Sequence, residues 1–324
     1  MKKSTLISLI VAALLVVLGA GLFCGAMSAV GWDYYALSTH EYVTNTIEIE
    51  KPFVGIEIES STADICFAVS EDGGKRVDCG DIQSIEYHVE VDNGILKIQA
   101  VDTRKWYEHL SIGFTPAAHL TVYLPAGEYG SLCIKESTGD IEICEGFAFF
   151  EMDLQLSTGD IVSYADTTGT CRIATTTGDV KVQGASVGHL ALRTTSGDIT
   201  VSDVVCAGNF SANVRTGDTC LTNLTCTDLT STGTTGELNL TNVIASGKLD
   251  ITRDTGDVTF EGSDAANIKV KTDTGDVTGT LLSDKVFVYK TDTGKVELPK
   301  ATTGGTCDIT TDTGDIIITI VTES

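Results

Sequence analysis

A carboxylate follows a glycine at nearly fixed intervals through most of this chain. The acids are Asp140, Asp160, Asp179, Asp198, Asp218, Glu237, Asp257, Asp276 and Asp315, and Lys295 takes the place in one unit. The residue before the glycine is Thr, or Ser196 in one unit. If successive units stack as strands, these acids form a column with about 4.8 Å between neighbours. Like charges that close repel unless they are hydrogen-bonded, screened or bridged by a cation. Four later units add a second carboxylate two residues before the glycine, at Asp254, Asp273, Asp292 and Asp312. Clusters of hard oxygen ligands suit Ca²⁺. The candidate metal ligands are therefore Asp254, Asp257, Asp273, Asp276, Asp292, Asp312 and Asp315, and calcium is the one cofactor these residues suggest. Lys295 reads as a counter-charge between Asp276 and Asp315. The same triplet also reads as a plain corner, with Gly supplying positive φ and the Thr and Asp side chains bonding nearby backbone.

Other chemistry is sparse. The five histidines, His40, His88, His109, His119 and His189, share no spacing suited to a metal. No nucleophile elbow, phosphate loop or dinucleotide fingerprint occurs. Arg172, Arg193, Arg215 and Arg253 stand six, four, two and three residues before a repeat glycine, so they form no common column. Salt bridges to neighbouring acids are their ordinary explanation. No residue reads as catalytic, and the chain reads as a non-enzyme. The runner-up is a calcium-dependent polysaccharide-binding or polysaccharide-cleaving β-helix.

The elements that must carry the acids are set by the glycines. Gly139, Gly159, Gly178, Gly197, Gly217, Gly236, Gly256, Gly275, Gly294 and Gly314 are separated by 19 or 20 residues. Positions seven and five before each glycine, and two and four after it, are mostly apolar, as in Leu249/Ile251 and Val258/Phe260. Apolar residues two apart share one face of a strand. A unit this short cannot bury that face alone, and stacked units can. The fold class that follows is all-β: a parallel β-solenoid of 19- to 20-residue coils, right-handed by the usual crossover preference. A position seven after the glycine, as at Val204, Leu224 and Val243, suggests a shorter third side.

Outside the repeats, residues 1–33 read as a short cytoplasmic tail and a membrane anchor. Lys2 and Lys3 precede 27 uncharged residues, more than the roughly 20 needed to span a bilayer core. The lysines place the N-terminus in the cytoplasm and the remainder outside. Cleavage after Ala26 is the alternative. Trp32, Tyr34 and Tyr35 would sit at the membrane interface. Residues 34–125 read as an atypical β region capping the solenoid of residues 126–324. Within it, "GIEIESSTADICF" mimics a unit with Ala63 in the glycine place and Asp64 after it, and Asn93-Gly94 marks a hairpin. The C-terminal "DIIITIVTES" has no capping helix, so that edge is either covered by neighbours or used for self-association. A formal charge of −24 argues against nucleic-acid partners. Nine cysteines follow the anchor without regular spacing and read as small buried hydrophobes, a pair such as Cys220–Cys226 being the alternative.

The "STGDI", "TTGDV", "TSGDI" and "DTGDV" units, the "VYLPAGEYGSL" lead-in and the N-terminal anchor resemble the bacterial DUF4097 family over roughly residues 45–320. That resemblance implies a membrane-anchored, cell-surface β-repeat protein grouped with adhesins, some of whose relatives are tied to envelope stress. It brings no site residues. The expectation is a single-pass membrane protein with an extracellular domain, acting as a surface interaction or scaffold protein on a glycan or protein partner.

Overall fold

The computed structural model describes residues 3–33, 42–82, 85–103 and 117–321. Tyr34, Tyr35, His40 and His109 lie outside the described residues. One helix, α1 (Lys3–Ala29), opens the chain, and its Ile10–Ala29 segment has a mean hydropathy of 2.5. Its length and composition suit a membrane span and, at this position, equally a signal sequence. Among the described residues, the remainder is strand, turn and loop.

The expected solenoid is present, and its register follows the apolar pattern. On the strands before the turn, Met152, Cys171, Leu190, Phe210, Leu229, Leu249 and Ile268 are in-register parallel neighbours. Beyond the turn, Ile141, Ile161, Val180, Ile199, Thr219, Leu238, Val258 and Val277 form a second such row. These rows point inward and make one continuous core. The third side contributes Val204, Leu224 and Val243, then Cys206, Cys226, Ala245 and Ala265, all buried. A parallel strand shifted by one residue would turn every one of these groups to solvent, which is why the register is so closely specified.

A second corner separates the second row from the third side. Gly184, Asp203, Asn223, Asn242 and Gly262 occupy it, all with φ between 52° and 66°. Asn and Asp tolerate that left-handed conformation better than other side chains. They also form a ladder, Asn242 Nδ2 donating to Asn223 Oδ1 (2.9 Å) and Asn223 Nδ2 to Asp203 Oδ1 (2.7 Å).

Both ends of the stack depart from simple succession. At the C-terminus, the strand Gly305–Thr313 pairs with Val258–Thr274 on one side and Lys285–Thr293 on the other. Ile316–Ile320 likewise lies between Val277–Leu281 and Val296–Glu297. The last coil in sequence is thus inserted one place inward, and the penultimate coil is outermost. The C-terminal strand is covered by its neighbours, and the open edge belongs to Lys285–Thr293. The N-terminus mirrors this. Gly55–Glu59 lies between Ile95–Asp102 and Gly127–Thr138, and Ala63–Val69 between Ala118–Leu124 and Phe147's predecessor strand Ile141–Ile143. The strands of residues 55–69, 95–102 and 118–124 are therefore part of the solenoid itself. Among the described residues, Tyr42–Glu48, Arg76–Ile82 and Ile85–Asp92 have antiparallel partners alone and cover that end. The Asn93-Gly94 hairpin is present, with φ of 51° and 78°. Tucked one coil inward, the strand Ile316–Ile320 is paired on both sides and is not an open sheet edge.

Candidate functional site

The turn acids do form a column, and the backbone satisfies them. The amide of each acid donates to Oδ1 of the acid one coil before: Asp160 to Asp140 (2.8 Å), Asp179 to Asp160 (2.7 Å), Asp198 to Asp179 (2.8 Å) and Asp218 to Asp198 (2.7 Å). Asp64 starts the series by accepting from Asp140 N–H. The inserted last coil keeps it going, with Asp315 donating to Asp276 and Lys295 to Asp315, each at 2.7 Å. Lys295 therefore ends the column rather than sitting between Asp276 and Asp315, and its ammonium pairs with Glu297 Oε1 at 2.6 Å. A charge-assisted bond from an amide offsets much of the repulsion that the spacing alone implied. Inward threonines complete the corner: Thr175, Thr194, Thr272 and Thr311 each donate to the carbonyl of a turn glycine in a neighbouring coil.

The series has one gap. Glu237 donates its amide to Asp218 (2.8 Å), but no bond runs from Asp257 N–H to the longer Glu237 side chain. Glu237→Asp is expected to complete the ladder and raise stability by about 1 kcal/mol, the net worth of one such bond, in a urea melt of the full chain. An unchanged midpoint would show that the gap is not a matter of side-chain length.

The calcium site expected from the sequence is not assembled. Asp257, Asp276 and Asp315 belong to the turn column, whereas Asp254, Asp273, Asp312 and Asp292 run along the neighbouring outer row. Lys271 pairs with Asp273 and Lys290 with Asp292, each at 3.4 Å. Among the described residues, no three His, Cys, Asp or Glu side chains are grouped tightly enough to hold a metal. Asp257, Asp276 and Asp315 accept from backbone amides, and Asp273 and Asp292 face lysines. Millimolar calcium is accordingly expected to leave the melting temperature unchanged, and a rise of several degrees would restore the metal reading.

Ionisable groups elsewhere reveal what the repeat pattern hid. Arg253 lies inside the core at 1% exposure. It donates through Nη2 to Thr219 Oγ1 and Ser231 Oγ, both at 3.0 Å, while Nε and Nη1 have no partner. Burial pushes its pKa down to about 10. Gly233 makes the space, since a Cβ there would fall 1.6 Å from Nη1. Glu136 is also buried, accepting from Ser137 and Thr138 amides through Oε1, with Oε2 unpartnered. Burial outweighs those amides and raises its pKa from 4.5 to about 7. The folded chain therefore binds a proton that the unfolded chain has released between about pH 4.5 and 7. Stability should be full below pH 4.5 and fall as pH rises to 7, by up to about 3 kcal/mol. Glu136→Gln should flatten that slope in melts across this range; an unchanged slope would move the effect to another group.

The cysteines are all free thiols. Cys79, Cys171, Cys206, Cys226 and Cys307 are buried, as small hydrophobes would be. Cys220 and Cys226 lie on one strand, Thr219–Cys226, with the Asn223 corner between them.

Three repeat arginines that the sequence suggested would form salt bridges do not form them. Arg172, Arg193 and Arg215 are exposed, and among the described residues no carboxylate lies within 4 Å of any of them. Arg172 and Arg193, with Glu59, Glu136 and Asp153, line a trough of about 980 Å³ on the outer face of the strands before the turn. Its floor is made of small and polar side chains, including Ala174, Ala191, Ser211 and Asn213. A smaller groove of about 380 Å³ continues it past Arg193, Asn213 and Arg215, with Asp254 also on its lining.

Fold and surface together define a class: a three-sided parallel β-solenoid whose acids serve its own corners and whose open surface is one sheet's outer face. The chain belongs to the Toastrack DUF4097 family, matched over residues 53–212 and 205–324. Several solved structures resemble it. One is described as a "putative adhesin" from Bacteroides fragilis, 14% identical, TM-score 0.44, covering 86% of this chain and 97% of that one. Another is a "putative lipid binding protein" from Parabacteroides distasonis, 14% identical, TM-score 0.38, covering 88% and 98%. A "putative cell adhesion protein" from Clostridium sporogenes is 8% identical, TM-score 0.24, covering 87% and 100%. No curated protein matches.

Proposed function

We propose that this protein is a single-pass, membrane-anchored interaction module of the cell surface, holding an envelope ligand on the outer face of its first sheet without changing it chemically. The observation that carries the reading is the trough of about 980 Å³ over Ala174, Ala191, Ser211 and Asn213. Flat outer faces of solenoids normally carry longer side chains; a depression floored by small residues leaves room for an extended ligand. The apolar span Ile10–Ala29, preceded by Lys2 and Lys3, supports a cytoplasmic N-terminus and an exterior solenoid. The adhesin descriptions of the solved relatives agree with a surface role.

The test is retention of purified cell-envelope polysaccharide fractions by the full chain in detergent micelles. Ala191→Trp fills the trough from its floor and should abolish retention while leaving the melting temperature within a few degrees. Retention that survives this substitution would move the binding surface elsewhere. Protease added to intact cells should digest the solenoid; protection would reverse the topology.

A further inference from the structure

The three exposed arginines are related by the geometry of the sheet. Arg172, Arg193 and Arg215 lie on consecutive coils, and each stands two residues nearer its turn glycine than the one before. Register makes the arrangement concrete. Arg172 is level with Ala191 and Ser211, and Arg193 is level with Ala174 and Asn213. All three offsets are even, and even offsets point outward here, whereas Arg253 at an odd offset points into the core. The result is a diagonal line from the trough, where Arg172 and Arg193 stand among Glu59, Glu136 and Asp153, into the adjoining groove, where Arg193 and Arg215 stand with Asp254. One step along it crosses one strand and two residues, so neighbouring guanidinium groups attach about 8 Å apart, from strand spacings of about 4.8 Å and rises of about 3.3 Å.

This line stands out against its surroundings. The chain carries a net charge of −24, yet these three cations have no carboxylate partner among the described residues. The nearest acid by register, Asp153 opposite Arg172, is instead held by Gln155 Nε2 at 3.3 Å. The lysines farther along the same face behave differently, Lys271 and Lys290 being paired to Asp273 and Asp292. Unpaired guanidinium groups present rigid forks suited to carboxylate or phosphate oxygens.

We propose that the trough and its adjoining groove bind a linear acidic glycan, whose carboxylate or phosphate groups are taken in turn by Arg172, Arg193 and Arg215. This rests on the surface-binding reading above and narrows its ligand. Asn213, Ser211 and Thr195 line the same path and supply hydrogen bonds for sugar hydroxyls. A nucleic-acid strand fits less well, because no aromatic side chain lines either groove to stack a base. An acidic peptide fits less well too, since the trough offers no apolar pocket for anchoring side chains and no free strand edge.

The test is fluorescence anisotropy with the full chain in detergent micelles at low salt, using labelled oligogalacturonate as the carboxylate probe and poly(glycerol phosphate) as the phosphate probe. Binding of at least one is expected, weakened at least tenfold by R172Q/R193Q/R215Q and progressively by raised salt. The control K269Q/K271Q/K290Q, on the same face, should leave it unchanged. The probe that binds identifies the anion. Absence of binding by both at millimolar concentration overturns the proposal, as does binding indifferent to the arginine triple. Tighter binding of single-stranded DNA or a poly-glutamate peptide through the same arginines overturns the glycan assignment. A neutral envelope glycan lost on Ala191→Trp but indifferent to the arginines would overturn this inference and leave the surface-binding reading standing.

Discussion

Gly256→Val is expected to unfold the solenoid or lower its stability by more than about 3 kcal/mol. Two effects combine at this position. Its φ of +143° is one that side-chain-bearing residues rarely adopt. A Cβ there would also stand 1.9 Å from the carbonyl oxygen of Gly236, the turn glycine one coil before. Backbone cannot yield as a flexible side chain would, and moving it breaks the amide ladder of the acid column. Gly184→Asn keeps a positive φ and lacks the second effect. That glycine also has positive φ, +66°, but a Cβ there meets nothing within 4 Å. The next three coils already carry Asp203, Asn223 and Asn242 at this corner. Gly184→Asn should therefore stay within about 0.5 kcal/mol of the parent, or gain slightly by extending the ladder to Asp203. Thermal melts by circular dichroism compare the two. A Gly256→Val protein that melts normally, or a Gly184→Asn protein that fails alongside it, would refute this account of the corners.

Lys285→Met is the second large effect. Lys285 is 2% exposed, and its ammonium lies 2.6 Å from Asp264 Oδ1 while also donating to Ser283. Lys285 is on the outermost coil and Asp264 is on a coil beyond the inserted one, so the pair clamps the last coil between them. Removing one partner of a buried pair leaves the other charge uncompensated, at a cost of about 3–5 kcal/mol. The variant should lose the outer coil first, exposing residues 282–304 to limited proteolysis at temperatures where the parent resists. Lys285→Met/Asp264→Leu should recover most of the loss, because well-packed apolar groups commonly replace a buried ion pair without penalty. If the single variant resists protease like the parent, the clamp is not what holds the inserted coil.

Much of this architecture is written in the chain. The glycine spacing, the paired apolar positions and the Asn93-Gly94 hairpin each correspond to what is observed, because side-chain alternation and turn chemistry are local rules. Three departures from the repeat were visible but looked unrelated: Thr219 and Ser231 at inward places, and Gly233 without a side chain. One buried group, Arg253, accounts for all three. The left-handed corner at Gly184, Asp203, Asn223, Asn242 and Gly262 also had a readable signal, a recurrence of 19 or 20 residues, masked by its change of residue type.

What no local rule conveys is which coil lies beside which. Periodicity says that each unit needs a neighbour on either side, and any unit of the same register satisfies that need. The sequence alone therefore determined a stack of coils with acids at one corner. The tertiary structure decided that the last coil inserts beneath the ninth, that Lys295 ends the acid column, and that the first coil lies beneath the strands that follow it. It also decided the fate of the charges. Carboxylates that seemed to require a cation are met by backbone amides of the next coil, and arginines at shifting offsets become a line only once adjacent strands set their relative height. Both outcomes depend on contacts between residues some twenty or forty positions apart, fixed by the pairing of strands rather than by the residues themselves.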